Sequence, residues 1–228
     1  MGKEIEKIAL AKGHEIILKS TSQSPLTPAQ LAHADVAIEF TNPHSAVKNI
    51  ETCLCSSVPV VVGSTGWYNE LNKVVADVKA TDGAMLHATN FSIGVNLFFS
   101  FNAHIAKVMS KYAEYEPTVH EIHHTQKLDA PSGTAITTAE VVVHNFEGKH
   151  QWVHEKQHAA HELLITHERL DNVPGTHVVT YKSEIDDISL SHVAHNRKGF
   201  ASGAVLAAEW LVGKKGVYTM KDVLEINY

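Results

Sequence analysis

The densest run of chemically capable side chains is Glu121-Ile122-His123-His124-Thr125-Gln126-Lys127-Leu128-Asp129-Ala130-Pro131-Ser132-Gly133-Thr134-Ala135. Adjacent histidines at a strand end point to opposite faces, so one can exchange a proton while the other orients a ligand. Lys127 adds a positive charge. Pro131-Ser132-Gly133-Thr134 reads as a helix start, where free backbone N–H groups and the helix dipole favour an anion. Together these residues suit a small molecule bearing carboxylates. On composition alone, an ordinary helix cap beside surface histidines explains them equally well.

A second chemistry must be weighed against this one. The zinc-peptidase pattern His-Glu-x-x-His occurs at His120-Glu121-Ile122-His123-His124 and at His154-Glu155-Lys156-Gln157-His158. That chemistry needs both histidines on one helix face, a glutamate beside them and a third ligand downstream. The first match follows Pro117-Thr118-Val119 and runs into Asp129-Ala130-Pro131, so it reads as a strand entering a loop. At roughly 3.3 Å per residue its outer histidines stand too far apart for one zinc. The second match lies in a very polar stretch with no apolar floor. With 17 histidines in the chain, chance matches are expected, and no metal site is assigned. Only two arginines occur, Arg169 and Arg197. Each could grip a carboxylate or phosphate through paired hydrogen bonds, although an exposed salt bridge is the simpler expectation.

The elements that must position these groups divide the chain in two. The N-terminal half alternates helix and strand: an opening helix ended by Gly13, a strand over 14–18, a brief helix over 27–34, a strand over 36–40 and a helix from Asn42 through Leu54. A strand over 58–62 ends in Gly63-Ser64-Thr65-Gly66, followed by a helix over 69–79 and a strand over 85–88. Near-continuous apolar strands in this order argue for an α/β fold with a parallel sheet covered on both faces. After Gly94 the pattern changes to a long helix over 96–112, strands over 118–123, 162–166, 177–182 and 188–194, and a helix over 134–143. This predicts a second, α+β domain with an open mixed sheet. Helical segments over 203–212 and 220–226 return to the first domain. The expected division is 1–94 with 204–228, and 95–203.

The bulk numbers exclude several classes. The formal charge is −6 with no run of like charges, so neither a nucleic-acid nor a membrane surface is indicated. Cys53 and Cys55, two apart in a helix, cannot bond each other or share a metal. No apolar stretch is long enough to span a membrane and no signal peptide is evident, so a soluble cytoplasmic protein is expected.

The 121–135 run resembles the signature of the 4-hydroxy-tetrahydrodipicolinate reductase (dihydrodipicolinate reductase) family: Glu, a short spacer, then His-His-x-x-Lys-x-Asp-Ala-Pro-Ser-Gly-Thr-Ala, with every position filled. Three further stretches are similar, in order: Glu39-Phe40-Thr41-Asn42-Pro43 with Gly63-Ser64-Thr65-Gly66; Asn90-Phe91-Ser92-Ile93-Gly94-Val95-Asn96; and the tail through Gly175-Thr176-His177, Asn196-Arg197, Phe200-Ala201-Ser202-Gly203-Ala204 and Asp222-Val223-Leu224.

The resemblance implies a Rossmann-like dinucleotide-binding domain and reduction of dihydrodipicolinate to tetrahydrodipicolinate in lysine and diaminopimelate biosynthesis, with NADPH or NADH. It implies His123 as catalytic acid/base and Lys127 as partner proton donor, with His124, Gly133 and Thr134 holding substrate carboxylate. Met1, Gly63, Ser64, Thr65, Ala88, Thr89, Asn90 and Phe91 fall at the implied cofactor positions, Ser64 standing where the family commonly has threonine. Plain core packing is the lesser alternative for Phe91, and Arg197 matches a family arginine of unassigned contact. A homotetramer built through the second domain is implied.

Two departures shape the expectation. The first strand and most of the glycine-rich turn that would precede Met1-Gly2 are absent from the sequence, for which a start codon placed too far downstream is the favoured account. The end of the first visible strand, Lys19-Ser20-Thr21-Ser22, offers hydroxyls and a lysine where NAD-specific folds place an acid, which leans toward NADPH. Two alternatives stay open: a truncated remnant or subunit without cofactor binding, and a zinc hydrolase. The histidine-rich stretch from His150 to His167 has no assigned role and reads as a solvated loop.

Overall fold

The computed structural model describes residues 1–21, 23–154, 159–196 and 198–226. They form two compact units: Met1–Ile93 with Lys198–Glu225, and the residues 94–196 between them.

The first unit is built on a four-stranded, wholly parallel sheet in the order β1 (Ala37–Glu39), β2 (Val60–Val62), β3 (Ala84–His87), β9 (Gly216–Tyr218). Val60, Val61 and Val62 are all fully buried, as a strand covered on both faces requires. The helices of this unit are α1 (Gly2–Ala11), α2 (Pro43–Cys55), α3 (Leu71–Ala80), α6 (Lys198–Leu211) and α7 (Met220–Leu224). Sequence sets their limits. The Asn42 side chain accepts the Ser45 N–H at 3.1 Å and Pro43 follows as the first helical residue of α2. Gly13, at φ +89°, ends the chain's first helix in the left-handed region that glycine enters without steric cost. In α2 Cys53 is buried and Cys55 exposed, so they do face apart.

The α/β reading holds, with three corrections. Residues 14–18 form no strand, because a strand exists only through a hydrogen-bonded neighbour, and β1 pairs with β2 alone among the described residues. The brief helix expected over 27–34 is a single 3₁₀ turn, Pro28–Leu31, with Thr27 and Gln30 forming its capping box. Strand β9, three residues hydrogen-bonded beside β3, was not expected between the two C-terminal helices; so short a run carries no readable period.

The second unit is a five-stranded mixed sheet, ordered β5 (Gln151–Val153), β6 (Glu162–Arg169), β4 (Glu116–His123), β7 (Gly175–Lys182), β8 (Asp187–Ala194), as the open mixed sheet predicted. Strand β4 runs parallel to β6 and antiparallel to β7. Helices α4 (Ile93–Met109) and α5 (Gly133–Asn145) supply Phe98, Phe99, Ala139 and Val142 to a core shared with Val119, Leu163, Ile165, Val179 and Tyr181. Burying each such large side chain stabilises the fold by roughly 1.5–3 kcal/mol. Period-two alternation puts Val119, Glu121 and His123 of β4 on the buried face, together with His177 of β7. The apolar layer therefore turns polar at the C-terminal end of β4. The opposite sheet face carries Thr118, Ile122, Leu164 and Val178, all half-buried.

Strand β5 lies within the stretch read as a solvated histidine-rich loop, so that stretch contributes an edge strand paired with β6. The second His-Glu-x-x-His pattern extends over 155–158, outside the described residues, as is Arg197.

Candidate active site

At the end of β4 the sequence places a glutamate where the alternation demands a buried side chain; hydrogen bonds satisfy its Oε1, while Oε2 has only close imidazole contacts. Glu121 has no solvent exposure. Its Oε1 accepts the Ser132 backbone N–H at 3.0 Å and the Arg169 guanidinium at 3.2 Å. Its Oε2 lies 3.1 Å from His123 Nδ1 and 3.7 Å from His177 Nε2. A buried carboxylate survives only with such partners. Burial alone would raise the Glu121 carboxyl, but the close His123 imidazole and the Ser132 contacts outweigh it and hold it down to about 2.

His123 is itself buried, its ring edge-on to that of His177 with centroids 5.0 Å apart. A Cβ on Gly175 would stand 3.0 Å from His123 Nε2, so a glycine at the start of β7 leaves that nitrogen its space. Burial, with the neighbouring His123 adding to it, pushes the His177 imidazole down to about 3 and keeps it neutral. Its Nε2 also meets the Ser132 hydroxyl at 3.3 Å.

Ser132 is the N-cap of α5: its side chain accepts the Ala135 N–H at 3.2 Å, and Gly133 and Thr134 form the first helical turn. A Cβ on Gly133 would meet nothing within 4 Å, so that first turn is open. Lys127 Nζ holds both oxygens of Asp129 at 2.8 Å. Burial acts to raise the Asp129 carboxyl, yet the Lys127 ammonium holds it below the usual range. His124 lines a pocket of about 380 Å³ with Thr125, Asp171, Asn172 and Asn196. The structure thus gathers His123, Glu121, Ser132 and the start of α5 into one cluster, with Lys127 and Asp129 tied to it through Arg169.

That arginine corrects one expectation. It makes no exposed salt bridge: its guanidinium reaches the buried Glu121 carboxylate, the Asp129 carbonyl at 2.8 Å and the Glu168 carbonyl at 2.9 Å, with a longer contact to the Lys127 carbonyl at 3.4 Å. Register explains it, since His123 is the parallel-sheet partner of Arg169. The supporting roles of Glu121 and His177 are not evident from the sequence beyond a glutamate on an otherwise inward-facing apolar alternation, whereas Arg169, one of two arginines able to grip a carboxylate, does so here.

Donor atoms of Glu121, His123 and His177 fall within 4.8 Å of one another, a spacing that could hold a cation. The Arg169 guanidinium on the same carboxylate opposes it electrostatically. The literal His-Glu-x-x-His at 120–124 is no zinc-peptidase helix, because His120 through His123 are strand residues and His120 lies on the other face, bonded to the Thr166 hydroxyl at 2.7 Å.

In the first unit, Gly63-Ser64-Thr65 leaves the carboxyl end of β2 and Ala88-Thr89-Asn90-Phe91 that of β3, with Val62 and His87 paired in register. Two loops therefore emerge side by side at the end of a parallel sheet where such folds bind ligands. Three packing details shape them. The Ser64 hydroxyl accepts the Thr41 N–H at 2.8 Å, fixing the loop after β2 against that after β1. A Cβ on Gly63 would strike the Phe40 ring at 2.1 Å, and one on Gly203 of α6 would lie 1.8 Å from the Phe91 carbonyl oxygen. The Phe40 and Phe91 rings are 5.5 Å apart. Phe91 is only 2% exposed, so core packing accounts for its side chain, while its backbone shapes the loop. Met1 precedes α1 without a side-chain cap, and open space surrounds Gly2.

Comparison with known proteins agrees with this arrangement. Residues 1–91 match the family model described as dihydrodipicolinate reductase, N-terminus, and residues 94–224 match dihydrodipicolinate reductase, C-terminus. A 4-hydroxy-tetrahydrodipicolinate reductase of Christiangramia forsetii is 44% identical over 224 residues, covering 98% of this chain and 93% of that protein. One from Neisseria meningitidis serogroup C is 32% identical over 235 residues, covering 97% and 84%. A dipicolinate-bound dihydrodipicolinate reductase from Paenisporosarcina sp. TG-14 shares the fold at a TM-score of 0.67 and 24% identity, over 92% of this chain and 82% of that one. This chain belongs to the dihydrodipicolinate reductase family.

Proposed function

We propose that the chain reduces 4-hydroxy-tetrahydrodipicolinate to tetrahydrodipicolinate with NADPH or NADH, a step of lysine and diaminopimelate biosynthesis. The observation that carries this reading is the buried Glu121–His123 pair beside the open first turn of α5, in a chain whose two halves both match the family.

The first unit, assigned as the dinucleotide-binding domain over 1–94 and 204–228, would take the cofactor through Gly63, Ser64, Thr65, Ala88, Thr89, Asn90 and Phe91, with Met1 at the open start of α1. The paired strand ends and glycine-dependent packing described above fit such a group. When bound, the nicotinamide supplies the hydride. The chain's own residues do the rest. The second unit, residues 94–196, would supply the substrate domain expected over 95–203, while 198–203 lie in α6 of the first unit. There the backbone N–H groups of Gly133 and Thr134, the Thr134 hydroxyl and His124 hold substrate carboxylate, by helix-terminus attraction for an anion. With the 4-hydroxyl leaving as water to give the conjugated ring, His123 delivers a proton from Nε2 to its nitrogen side as hydride reaches carbon, and Lys127 assists as a second donor. The lysine must exchange its Asp129 partner for substrate, which the exposure of Asp129 permits.

Lys19, paired with Glu6 at 3.0 Å, and the hydroxyls of Ser20 and Thr21 favour acceptance of the NADP phosphate; a tenfold or larger kinetic preference for NADH would overturn that. The half-buried sheet face bearing Ile122, Leu164 and Val178 supports self-association into a homotetramer. No helix among the described residues is long and apolar enough to cross a membrane, and a cytoplasmic site of action fits this biosynthetic role.

The test is nicotinamide oxidation with freshly generated substrate, alongside dinucleotide binding followed by nicotinamide fluorescence. Turnover supports the reading. Binding without turnover, or neither, would contradict it, and failure of binding would favour a remnant that keeps only the fold.

A further inference from the structure

Glu121 carries four contacts that no single structural need explains. A helix cap requires only Ser132, whose own hydroxyl already serves Ala135. A buried charge requires one cation, which Arg169 supplies. Yet the second oxygen, Oε2, is turned to His123 Nδ1 at 3.1 Å rather than left for the core; both atoms are sealed from solvent, neither makes a hydrogen bond of good geometry, and each is the other's nearest opposite pole. The same guanidinium that neutralises Glu121 also binds the Asp129 carbonyl at 2.8 Å, and it reaches the Lys127 carbonyl at 3.4 Å. Glu121 thus lies at the centre of three groups that the reaction needs in register: the His123 ring, the first turn of α5 and the loop bearing Lys127.

We propose that Glu121, supported by Arg169, is a positioning residue that holds the proton of neutral His123 on Nδ1, so that Nε2 faces the space left by Gly175, and that keeps this ring in fixed register with the α5 turn and Lys127. The proposal rests on the reading of His123 as proton donor. An imidazole lone pair 3.1 Å from a carboxylate oxygen is repelled by it, so the electrostatics place the hydrogen on the nitrogen that faces Oε2. This leaves Nε2 as the nitrogen that gains and loses the working proton. His177, kept neutral by burial, closes the remaining side of the carboxylate without adding a competing charge. Replacement by an amide separates the functions. Glu121→Gln can still accept from Ser132 and Arg169 through its carbonyl oxygen, but would offer N–H to an N–H at His123, forcing the other tautomer or a displaced ring.

The experiment combines steady-state kinetics of Glu121→Gln and Arg169→Met with ¹⁵N–¹H spectra of the histidine rings, His123 being assigned by its loss in His123→Gln. The expected kcat of Glu121→Gln is on the order of a hundredfold or more below that of the unaltered chain, with KM for the nicotinamide changed less than about threefold and the His123 proton moved from Nδ1 to Nε2. Arg169→Met is expected to raise KM for substrate while leaving the tautomer unchanged. A Glu121→Gln kcat within about threefold of the unaltered chain, or neutral His123 carrying its proton on Nε2 in the unaltered protein, overturns the proposal. If Glu121→Gln fails to fold, the tautomer in the unaltered protein decides by itself. Should the unaltered chain show no turnover, the functional reading fails, while the ring spectra still test the Glu121 assignment.

Discussion

His123 and Arg169 are direct partners across the parallel pairing of β4 with β6, although 46 residues separate them in the chain. That pairing sets the chemistry of the site. It brings a guanidinium beneath the loop bearing Lys127, and the same cation neutralises Glu121, whose other oxygen meets the His123 ring. A histidine at a strand end is ordinarily free to rotate. Here its Nδ1 side meets a buried carboxylate and its Nε2 side meets a glycine.

That glycine yields a first prediction. Adding one methyl in Gly175→Ala puts a carbon 3.0 Å from His123 Nε2 on a backbone whose φ of +159° favours glycine, so the ring or the start of β7 must shift by a few tenths of an ångström. Because proton delivery depends on such distances, kcat should fall on the order of 10- to 100-fold with the fold intact by circular dichroism. Unchanged kcat would show that the space beside Nε2 is not used.

Acid should destabilise the second unit in two stages. His177 has a folded-state value of about 3 against 6.5 for an exposed histidine. Between these values the unfolded chain binds a proton that the folded chain does not, so the stability present above pH 6.5 is lost as pH falls toward 3. Glu121, at about 2 against 4.5, adds a second loss of the same sign between pH 4.5 and 2. The melting temperature should therefore decline below pH 6.5 and more steeply below 4.5. His177→Gln should flatten the first stage, and an unaltered slope in that variant would contradict the assignment.

Much of this architecture can be read in the sequence, for reasons that can be named. The alternation in β4 and β7, the apolar run in β2 and the Asn42-Pro43 and Ser132 caps are local signals, and the structure follows them. The strand expected over 14–18 fails because pairing, not propensity, makes a strand. Strands β5 and β9, three residues each, are too short to show a period. At the site, the His-His-x-x-Lys run and the helix start are visible in the sequence, whereas Arg169 and His177 reach Glu121 only through sheet register, which no local stretch of sequence specifies.

Cofactor handling should be sensitive to a residue outside the loops themselves. A Cβ in Gly203→Ala would overlap the Phe91 backbone carbonyl at 1.8 Å, a contact that no side-chain rotation relieves. The loop after β3 must move, at a cost of about 1–3 kcal/mol in stability. KM for the nicotinamide should rise severalfold with KM for the dicarboxylate little changed. The reverse pattern would remove the Asn90-Phe91 loop from the cofactor site.

Metal removal separates the reductase from the hydrolase alternative. The Glu121, His123 and His177 donors are close enough to hold a cation, but Arg169 already occupies the carboxylate. Overnight treatment with a chelator should leave reductase turnover unchanged. Activity that is lost and then restored by zinc would assign those three residues to a metal.

The most direct test of the account is nicotinamide oxidation with 4-hydroxy-tetrahydrodipicolinate, comparing the unaltered chain with His123→Gln and Lys127→Met. The account predicts turnover by the unaltered chain and kcat lower by on the order of 10²–10⁴ in each variant, with nicotinamide binding retained. An unaltered chain that binds the nicotinamide but does not oxidise it, or a His123→Gln variant as active as its parent, would contradict it.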